Sequence, residues 1–213
     1  MLTVVASLKG GSGKSTVTFN LAVWLAMAGI RVRAFDLDPQ ATLSDVIEVR
    51  QDEKTKPALS VEGGIAELLA AGGTNAEGEE ILVDVGTADI EAMNAAVSMA
   101  DRVLVPVQPS QADIWSVQRF LRMVRKEGQD QGPDVYAFIN RGDTHHAVRE
   151  SDEAAAALVT LPGLRLLRPR LRQRTAFRRS FSEGQAVFEL EPRGKAAREL
   201  LALAAATYAH VLK

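Results

Sequence analysis

The sequence predicts an α/β protein with a doubly wound, mostly parallel sheet flanked by helices. Short apolar runs, each about the length of a buried strand, recur along the chain, and helical patterns separate most of them. The runs are continuously hydrophobic, which is typical of parallel strands covered on both faces. The six predicted strands are Leu2 to Ser7, Arg31 to Asp36, Ile81 to Val85, Arg102 to Val107, Val135 to Asn140 and Leu164 to Leu167.

The composition fits one domain over residues 1–213. Apolar residues make up 46% of the chain, which is enough for a sizeable core. The sequence contains no cysteine, which excludes disulfides, thiolate zinc sites and iron–sulfur clusters and suits a cytoplasmic protein. No stretch approaches the ~20 consecutive apolar residues of a membrane span. We therefore expect a protein without membrane association, in which any metal binds oxygen ligands.

Helices follow the first and fourth predicted strands. The stretch from Ser15 to Ala28 places apolar residues on one face and stops at Gly29, a typical helix end. A second helical pattern carries Ile114, Val117, Leu121 and Val124 at helical spacing.

Three further segments complete the layout. The segment from Arg50 to Gly64 is charged, and the segment from Gly142 to Glu153 contains His145 and His146. Both segments are predicted to be exposed, mobile connections. The tail from Gly194 to Leu212 predicts a long helix whose apolar residues pack against the body.

A glycine-rich loop joins the first strand to the first helix. Its glycines allow the backbone to curl so that successive N–H groups point at phosphate oxygens, and the helix N-terminus favours the same charge. Lys14 is expected to bridge the β- and γ-phosphates, and the Ser15 hydroxyl to bind Mg2+. The alternative is a glycine turn without a ligand. The candidate ATP-binding residues are Gly10, Gly11, Ser12, Gly13, Lys14, Ser15 and Thr16.

The loop departs from the standard Walker A pattern. Leu8 occupies the place of the first glycine, and Lys9 follows it. This resembles the deviant Walker A motif of the ParA/MinD family of P-loop NTPases. The resemblance implies that Lys9 is catalytic, reaching the nucleotide of a partner subunit in a dimer that sandwiches two ATP molecules. Without the resemblance, Lys9 is a solvated lysine beside a loop.

Two aspartates end the second strand in the run from Asp36 to Gln40. Ligands gather at the carboxyl ends of the strands in open α/β sheets. The family carries an Asp-x-Asp-Pro-Gln switch here, which implies that Asp36 supports the magnesium shell and that Asp38 orients the attacking water. In the alternative interpretation both aspartates cap a turn before Pro39.

A third carboxylate, Asp84, ends the apolar run that begins at Ile81. This is the Walker B arrangement, which holds magnesium through water. Gly86 is the expected hinge of the following switch. Relatives often have proline between this aspartate and glycine, whereas this chain has Val85, which puts the switch's γ-phosphate contact in doubt.

Asn140 and Asp113 each have two interpretations. Many relatives place a residue that binds adenine where Asn140 stands, but asparagine is also an ordinary turn former. The run from Ser110 to Asp113 fits a helix capping box, which we favour, and also a segment that the family uses near its dimer face.

The chain resembles short ParA-type partition ATPases of the ParF branch over nearly its whole length, without the N-terminal helix-turn-helix domain of longer relatives. Arginines crowd the segment around Pro169 and predict a solvent-facing ladder that binds DNA without sequence preference. Alternatively, some of them face the nucleotide or the partner subunit. The DNA-binding candidates are Arg165, Arg168, Arg170, Arg172, Arg174, Arg178 and Arg179.

The resemblance implies an ATPase that dimerises with ATP, coats the nucleoid and releases it when a ParB-like or small cargo-adaptor protein triggers hydrolysis. The cargo is a plasmid, a chromosome or a compartment such as a carboxysome. Two alternatives remain open at this point. One is a MinD-like ATPase that works on a membrane, although the chain's end lacks a bulky basic amphipathic helix. The other is an ATP-dependent metabolic enzyme of the dethiobiotin-synthetase type.

Overall fold

The computed structural model describes residues 1–71, 78–125, 132–145 and 149–211. Seven strands form one sheet in the order β3-β2-β4-β1-β5-β6-β7, and every neighbouring pair is parallel. The strands are β1 (Leu2–Val5), β2 (Arg31–Leu37), β3 (Val61–Gly63), β4 (Glu79–Val85), β5 (Arg102–Val107), β6 (Asp134–Ile139) and β7 (Leu164–Leu166). The predicted doubly wound α/β fold is confirmed.

Helices cover both faces of the sheet. They are α1 (Lys14–Met27), α2 (Thr42–Asp52), α3 (Ile65–Ala71), α4 (Ile90–Met99), α5 (Gln111–Val124), α6 (Glu150–Val159), α7 (Thr175–Ser182), α8 (Val187–Leu190) and α9 (Lys195–Thr207). Successive strand residues point to opposite faces, so Val4 packs with α4, α5 and α6, whereas Val5 packs with α1, α2 and α7 to α9. Two apolar cores therefore sandwich the sheet, and its strand ends remain open for a ligand.

Helix α1 ends as the sequence predicts. Gly29 adopts the left-handed conformation (φ 78°) that favours glycine. Its N–H donates to the carbonyl of Ala26, and the N–H of Ile30 donates to the carbonyl of Leu25. These two bonds close the helix before β2 begins.

The prediction that Arg50 to Gly64 is an exposed connection is wrong. Helix α2 continues to Asp52, and β3 pairs with β2 at the sheet edge. Arg50 is fully buried. Its guanidinium donates to the carbonyls of Pro57 and Gly184 (2.9 Å each) and to both carboxylate oxygens of Glu189 (2.8 and 2.9 Å). A buried arginine is tolerated here because all these acceptors surround it.

The segment from Gly142 to Glu153 was also predicted to be a connection, but α6 begins inside it at Glu150. His145 is exposed, and His146 lies outside the described residues.

The C-terminal helix packs as predicted but is shorter. Helix α9 ends at Thr207, and Leu212 lies outside the described residues. Leu200, Leu203 and Tyr208 are fully buried against α1 and its neighbours. No helix within the described ranges is long and apolar enough to cross a membrane.

Candidate functional site

The phosphate loop lies between the end of β1 and the start of α1. Gly11 (φ 72°) and Gly13 (φ 91°) both have left-handed backbones, which turn the chain into the helix. No side chain caps α1, so its first N–H groups are open to an anion. The buried Lys14 forms no ion pair with any described residue, and the buried Ser12 hydroxyl likewise has no hydrogen-bonding partner there. The loop thus presents unengaged donors to phosphate oxygens.

Asn140 braces this loop from the end of β6. Its Nδ2 donates to the carbonyl of Ser12 at 2.6 Å, and its own N–H donates to Val107 in β5. A Cβ atom at Gly13 would come within 2.5 Å of that Nδ2, which explains the need for glycine there. The sequence left Asn140 between an adenine contact and a turn former. The structure adds a third role, because the amide nitrogen is occupied by the loop itself.

Asp36 and Asp38 organise the turn after β2. Asp36 accepts hydrogen bonds from both the N–H and the hydroxyl of Ser44 (2.9 Å each) and from the N–H of Asp38 (3.1 Å). Asp38 accepts from the N–H of Gln40 at 3.0 Å. Both carboxylates therefore fix the turn before Pro39, as the simpler interpretation held. Asp36 also lies directly opposite Asp84 in the register of β2 and β4.

Asp84 is fully buried, and among the residues that the structure describes neither of its carboxylate oxygens has a hydrogen-bonding partner of good geometry. The pKa of this carboxyl is raised from 3.8 to about 7, chiefly by burial, and the charges of Asp36 and Asp38 contribute to the rise. The Ser15 hydroxyl and the Lys14 ammonium group oppose that pKa shift. A buried, unpartnered carboxylate is a favourable place for a cation.

Magnesium fits this arrangement only with help from the nucleotide. The described residues contain no group of three or more His, Cys, Asp or Glu side chains that could hold a metal ion. The Ser15 hydroxyl would bind magnesium directly and Asp84 would hold it through water, while phosphate oxygens and further water would complete the near-octahedral shell that magnesium requires. A site of this kind binds the metal together with ATP.

A cavity of about 300 Å³ adjoins the loop at Gly13 and Thr16. Thr42 at the start of α2 and Phe177 and Phe181 on α7 contribute to its walls. These residues are not predictable from the sequence, because no local motif connects α7 with the phosphate loop. The cavity offers apolar contact for a base beside the phosphate cradle.

The arginine cluster faces solvent only in part, because Arg170 and Arg174 are half-buried. Arg172, Arg174 and Arg178 line this cavity, as the alternative interpretation allowed. Carboxylates pair with most of the cluster: Arg165 with Asp134, Arg170 with Asp152, Arg172 and Arg174 with Glu199, and Arg179 with Glu183 and Glu191.

Lys9 contacts the start of α5. Its Nζ lies 2.5 Å from Oδ2 of Asp113. The Ser110 hydroxyl accepts a hydrogen bond from the N–H of Asp113 at 3.2 Å and also contacts the same carboxylate oxygen. The favoured role of this run as a helix cap is therefore confirmed, and the Lys9 ammonium group is ion-paired although its side chain is partly exposed.

Comparisons with known proteins agree with this site. The profile of the CobQ/CobB/MinD/ParA nucleotide binding domain matches residues 3–187. The chain is 28% identical over 185 residues to Protein ParA of Rhizobium radiobacter, covering 85% of this chain and 82% of that protein. It is 26% identical over 202 residues to maintenance of carboxysome distribution protein A of Halothiobacillus neapolitanus, covering 92% and 90%.

Solved structures share the fold. An ATP complex of a Cyanothece McdA variant superposes with a TM-score of 0.75 at 18% identity, covering 99% of this chain and 95% of that one. The septum site-determining protein MinD of Pyrococcus horikoshii with Mg-ADP gives a TM-score of 0.74 at 19% identity, covering 97% and 95%. The matched profile includes the phosphate loop, Asp36 and Asp84. The chain therefore belongs to the CobQ/CobB/MinD/ParA nucleotide-binding family, and it is an ATPase that uses ATP with magnesium.

Proposed function

We propose that the chain is an ATP-dependent dimerising switch that positions or segregates a cargo, either a plasmid, a chromosome or a protein compartment such as a carboxysome. A ParA protein and a carboxysome distribution protein are among its relatives, which supports this class of function. The observation that carries the proposal is the position of Lys9 and its contact with Asp113. This lysine adjoins the phosphate loop, yet its ammonium group is held by Asp113. Once released, it can serve the nucleotide of a second subunit.

The proposed reaction is the hydrolysis of ATP. Water attacks the γ-phosphorus, the bond to the bridging oxygen breaks, and ADP and phosphate leave. The loop N–H groups and Lys14 hold the phosphates, and Asp38 accepts a hydrogen bond from the attacking water and orients it. Lys9 of the partner subunit contributes a positive charge at the phosphates, so that hydrolysis depends on dimerisation.

Ser15 and Asp84 are the proposed magnesium ligands, with Asp36 supporting them from the neighbouring strand. When bound, magnesium neutralises charge that develops on the phosphate oxygens. The orphaned oxygens of Asp84 support this assignment. Asn140 has a hydrogen-bonded Nδ2, so Oδ1 is the part of its side chain that remains for the base.

Non-specific DNA is the proposed track for the dimer. Within the described residues, Arg168 and Arg178 are exposed and have no ion-pair partner, so they are the cluster members best suited to contact phosphates. If each subunit neutralises ~3 phosphates, a dimer neutralises ~6. Each phosphate contributes roughly −0.9 to the slope of log affinity against log salt concentration, so dimerisation doubles that slope. Assembly alone would then switch DNA binding on. Nucleoid association in the cytoplasm and a ParB-like or small adaptor that triggers hydrolysis complete the proposal.

The shared lysine can be tested by DNA binding. Purified protein should shift unrelated duplex DNA with ATP and not with ADP, and Lys9→Ala should abolish the shift. Lys54→Ala, which removes an exposed lysine, is the matched control. Equal binding with ADP, or full binding by Lys9→Ala, would refute the DNA-dependent switch.

The role of Asp38 has a separate test. Asp38→Ala should keep ATP-dependent dimerisation and lose hydrolysis, whereas the exposed Asp52→Ala should retain both. Normal phosphate release by Asp38→Ala would assign the orientation of water to another group.

A further inference from the structure

The ion pair between Lys9 and Asp113 joins two side chains with very different exposure. The Lys9 side chain is 40% exposed, whereas the Asp113 side chain is only 4% exposed. Lys9 is the one cationic partner of this carboxylate within the described ranges, and the Ser110 hydroxyl is its other side-chain contact. The lysine can therefore move into solvent, but the carboxylate stays buried at the start of α5.

Moving Lys9 away from Asp113 costs free energy, because it leaves the Asp113 carboxylate without a charged partner. A buried carboxylate that loses its charged partner keeps the penalty of having been removed from water. Ser110 alone supplies a neutral hydroxyl in place of a full positive charge. The intact pair is therefore favoured as long as nothing else attracts the lysine more strongly.

The backbone at Lys9 does not need to move for this exchange. The Ser7 hydroxyl accepts from the N–H of Lys9 and donates to its carbonyl, both at 3.1 Å. Leu8 packs against the core on the side of α5. The loop end is thus fixed, and rotation of the Lys9 side chain is enough to switch between Asp113 and another anion.

We propose that Asp113 is a positioning residue that holds Lys9 on its own subunit until a second ATP-bound subunit offers phosphate in exchange. The pair sets the protein concentration at which ATP can drive dimerisation. This proposal rests on the proposed function, in which Lys9 reaches the partner's nucleotide. It adds that the lysine is restrained beforehand and names the group that restrains it.

Symmetry amplifies the restraint. In a two-fold dimer both copies of Lys9 must leave their own Asp113, so the cost enters the dimerisation constant twice. A partly exposed ion pair is intermediate in strength between weak surface pairs and strong buried ones. We therefore expect each subunit's pair to reduce the dimerisation constant by about tenfold. Removing the restraint from both subunits should therefore raise the dimerisation constant by about 100-fold.

Sedimentation velocity over a protein dilution series, with a hydrolysis-resistant ATP analogue, tests this inference. Asp113→Asn keeps the side-chain shape and removes the charge, and it should dimerise at about 100-fold lower protein concentration than the wild type. Asp45→Asn removes an exposed carboxylate from α2 and should leave the midpoint unchanged. An Asp113→Asn midpoint equal to that of the wild type would overturn the proposal.

Lys9→Ala in the same series separates the two proposals. If it fails to dimerise while Asp113→Asn behaves as the wild type, the restraint is refuted and the shared lysine stands. If Lys9→Ala dimerises like the wild type, the shared lysine fails, and the restraint fails with it.

Amine acylation followed by mass spectrometry gives a second readout, and its wild-type measurement does not depend on the folding of any variant. In nucleotide-free wild-type protein, the ion-paired Lys9 should react several-fold more slowly than the exposed Lys54. In folded Asp113→Asn the two rates should converge. Equal rates for Lys9 and Lys54 in the wild type would overturn the proposal.

Discussion

Asp84 should destabilise the ligand-free protein, so removing its charge should stabilise it. The rise of its pKa from 3.8 to about 7 corresponds to about 4 kcal/mol of free energy when the carboxylate is ionised. The penalty is absent at low pH, where the folded and unfolded chains are both protonated at this residue. It grows as the pH rises from about 4 to 7 and is complete above that. The free energy of unfolding should therefore fall with pH across this window.

The replacement Asp84→Asn keeps the size of the side chain and removes the charge. We expect it to raise the free energy of unfolding of the ligand-free protein by about 2 to 4 kcal/mol at pH 8, and by about 1 to 1.5 kcal/mol at pH 5. Urea unfolding with a metal chelator and without nucleotide measures both values. Added ATP with magnesium should stabilise the wild type much more than Asp84→Asn, because the variant lacks the anionic ligand.

Asp45→Asn is the matched control, since it removes an exposed carboxylate from the first turn of α2 and should lower stability by less than about 1 kcal/mol. The reasoning fails if Asp84→Asn is no more stable than the wild type at pH 8. It also fails if the difference between them is the same at pH 5 and pH 8.

Three further substitutions test the surroundings of the site. Arg50→Ala should cost about 3 to 5 kcal/mol in urea unfolding, because it leaves Glu189 without its partner, whereas the exposed Arg193→Ala should change little. Gly86→Ala would place a Cβ atom 2.8 Å from Oδ1 of Asp38, so ATP hydrolysis should fall at least about tenfold while calorimetry shows ATP binding retained. Asn140→Ala removes the donor to the phosphate loop and should weaken ATP binding by about tenfold in the same calorimetric assay.

Local patterns were enough to predict most of the fold. Continuous apolar runs marked six of the strands, and Gly29 marked the end of α1. Strand β3 was missed because it has three residues at the sheet edge and none of them is fully buried. The burial of Arg50 was missed for a different reason, since Glu189 lies 139 residues away and no sequence pattern connects the two.

Some residues of the candidate site are likewise predictable from local motifs, whereas other contacts depend on the folded chain. The phosphate loop and Asp84 are read from short motifs, in which each residue's neighbours along the chain define its role. The contact of Lys9 with Asp113 spans 104 residues, and it emerges only when β1 and α5 are brought together. The pairing of Arg174 with Glu199 is likewise a property of the folded chain.

Helix α2 is fastened at both of its ends. Asp36 holds its first turn at Ser44, and Arg50 fastens its last turn to α8 and to the carbonyl of Gly184. Helix α2 has eleven residues and is therefore about 16 Å long. It forms a rigid connection between the turn that carries Asp38 and the segment between α7 and α8. In the proposed function Asp38 acts beside the γ-phosphate, so α2 would connect that part of the site with α7, the helix that carries Arg178.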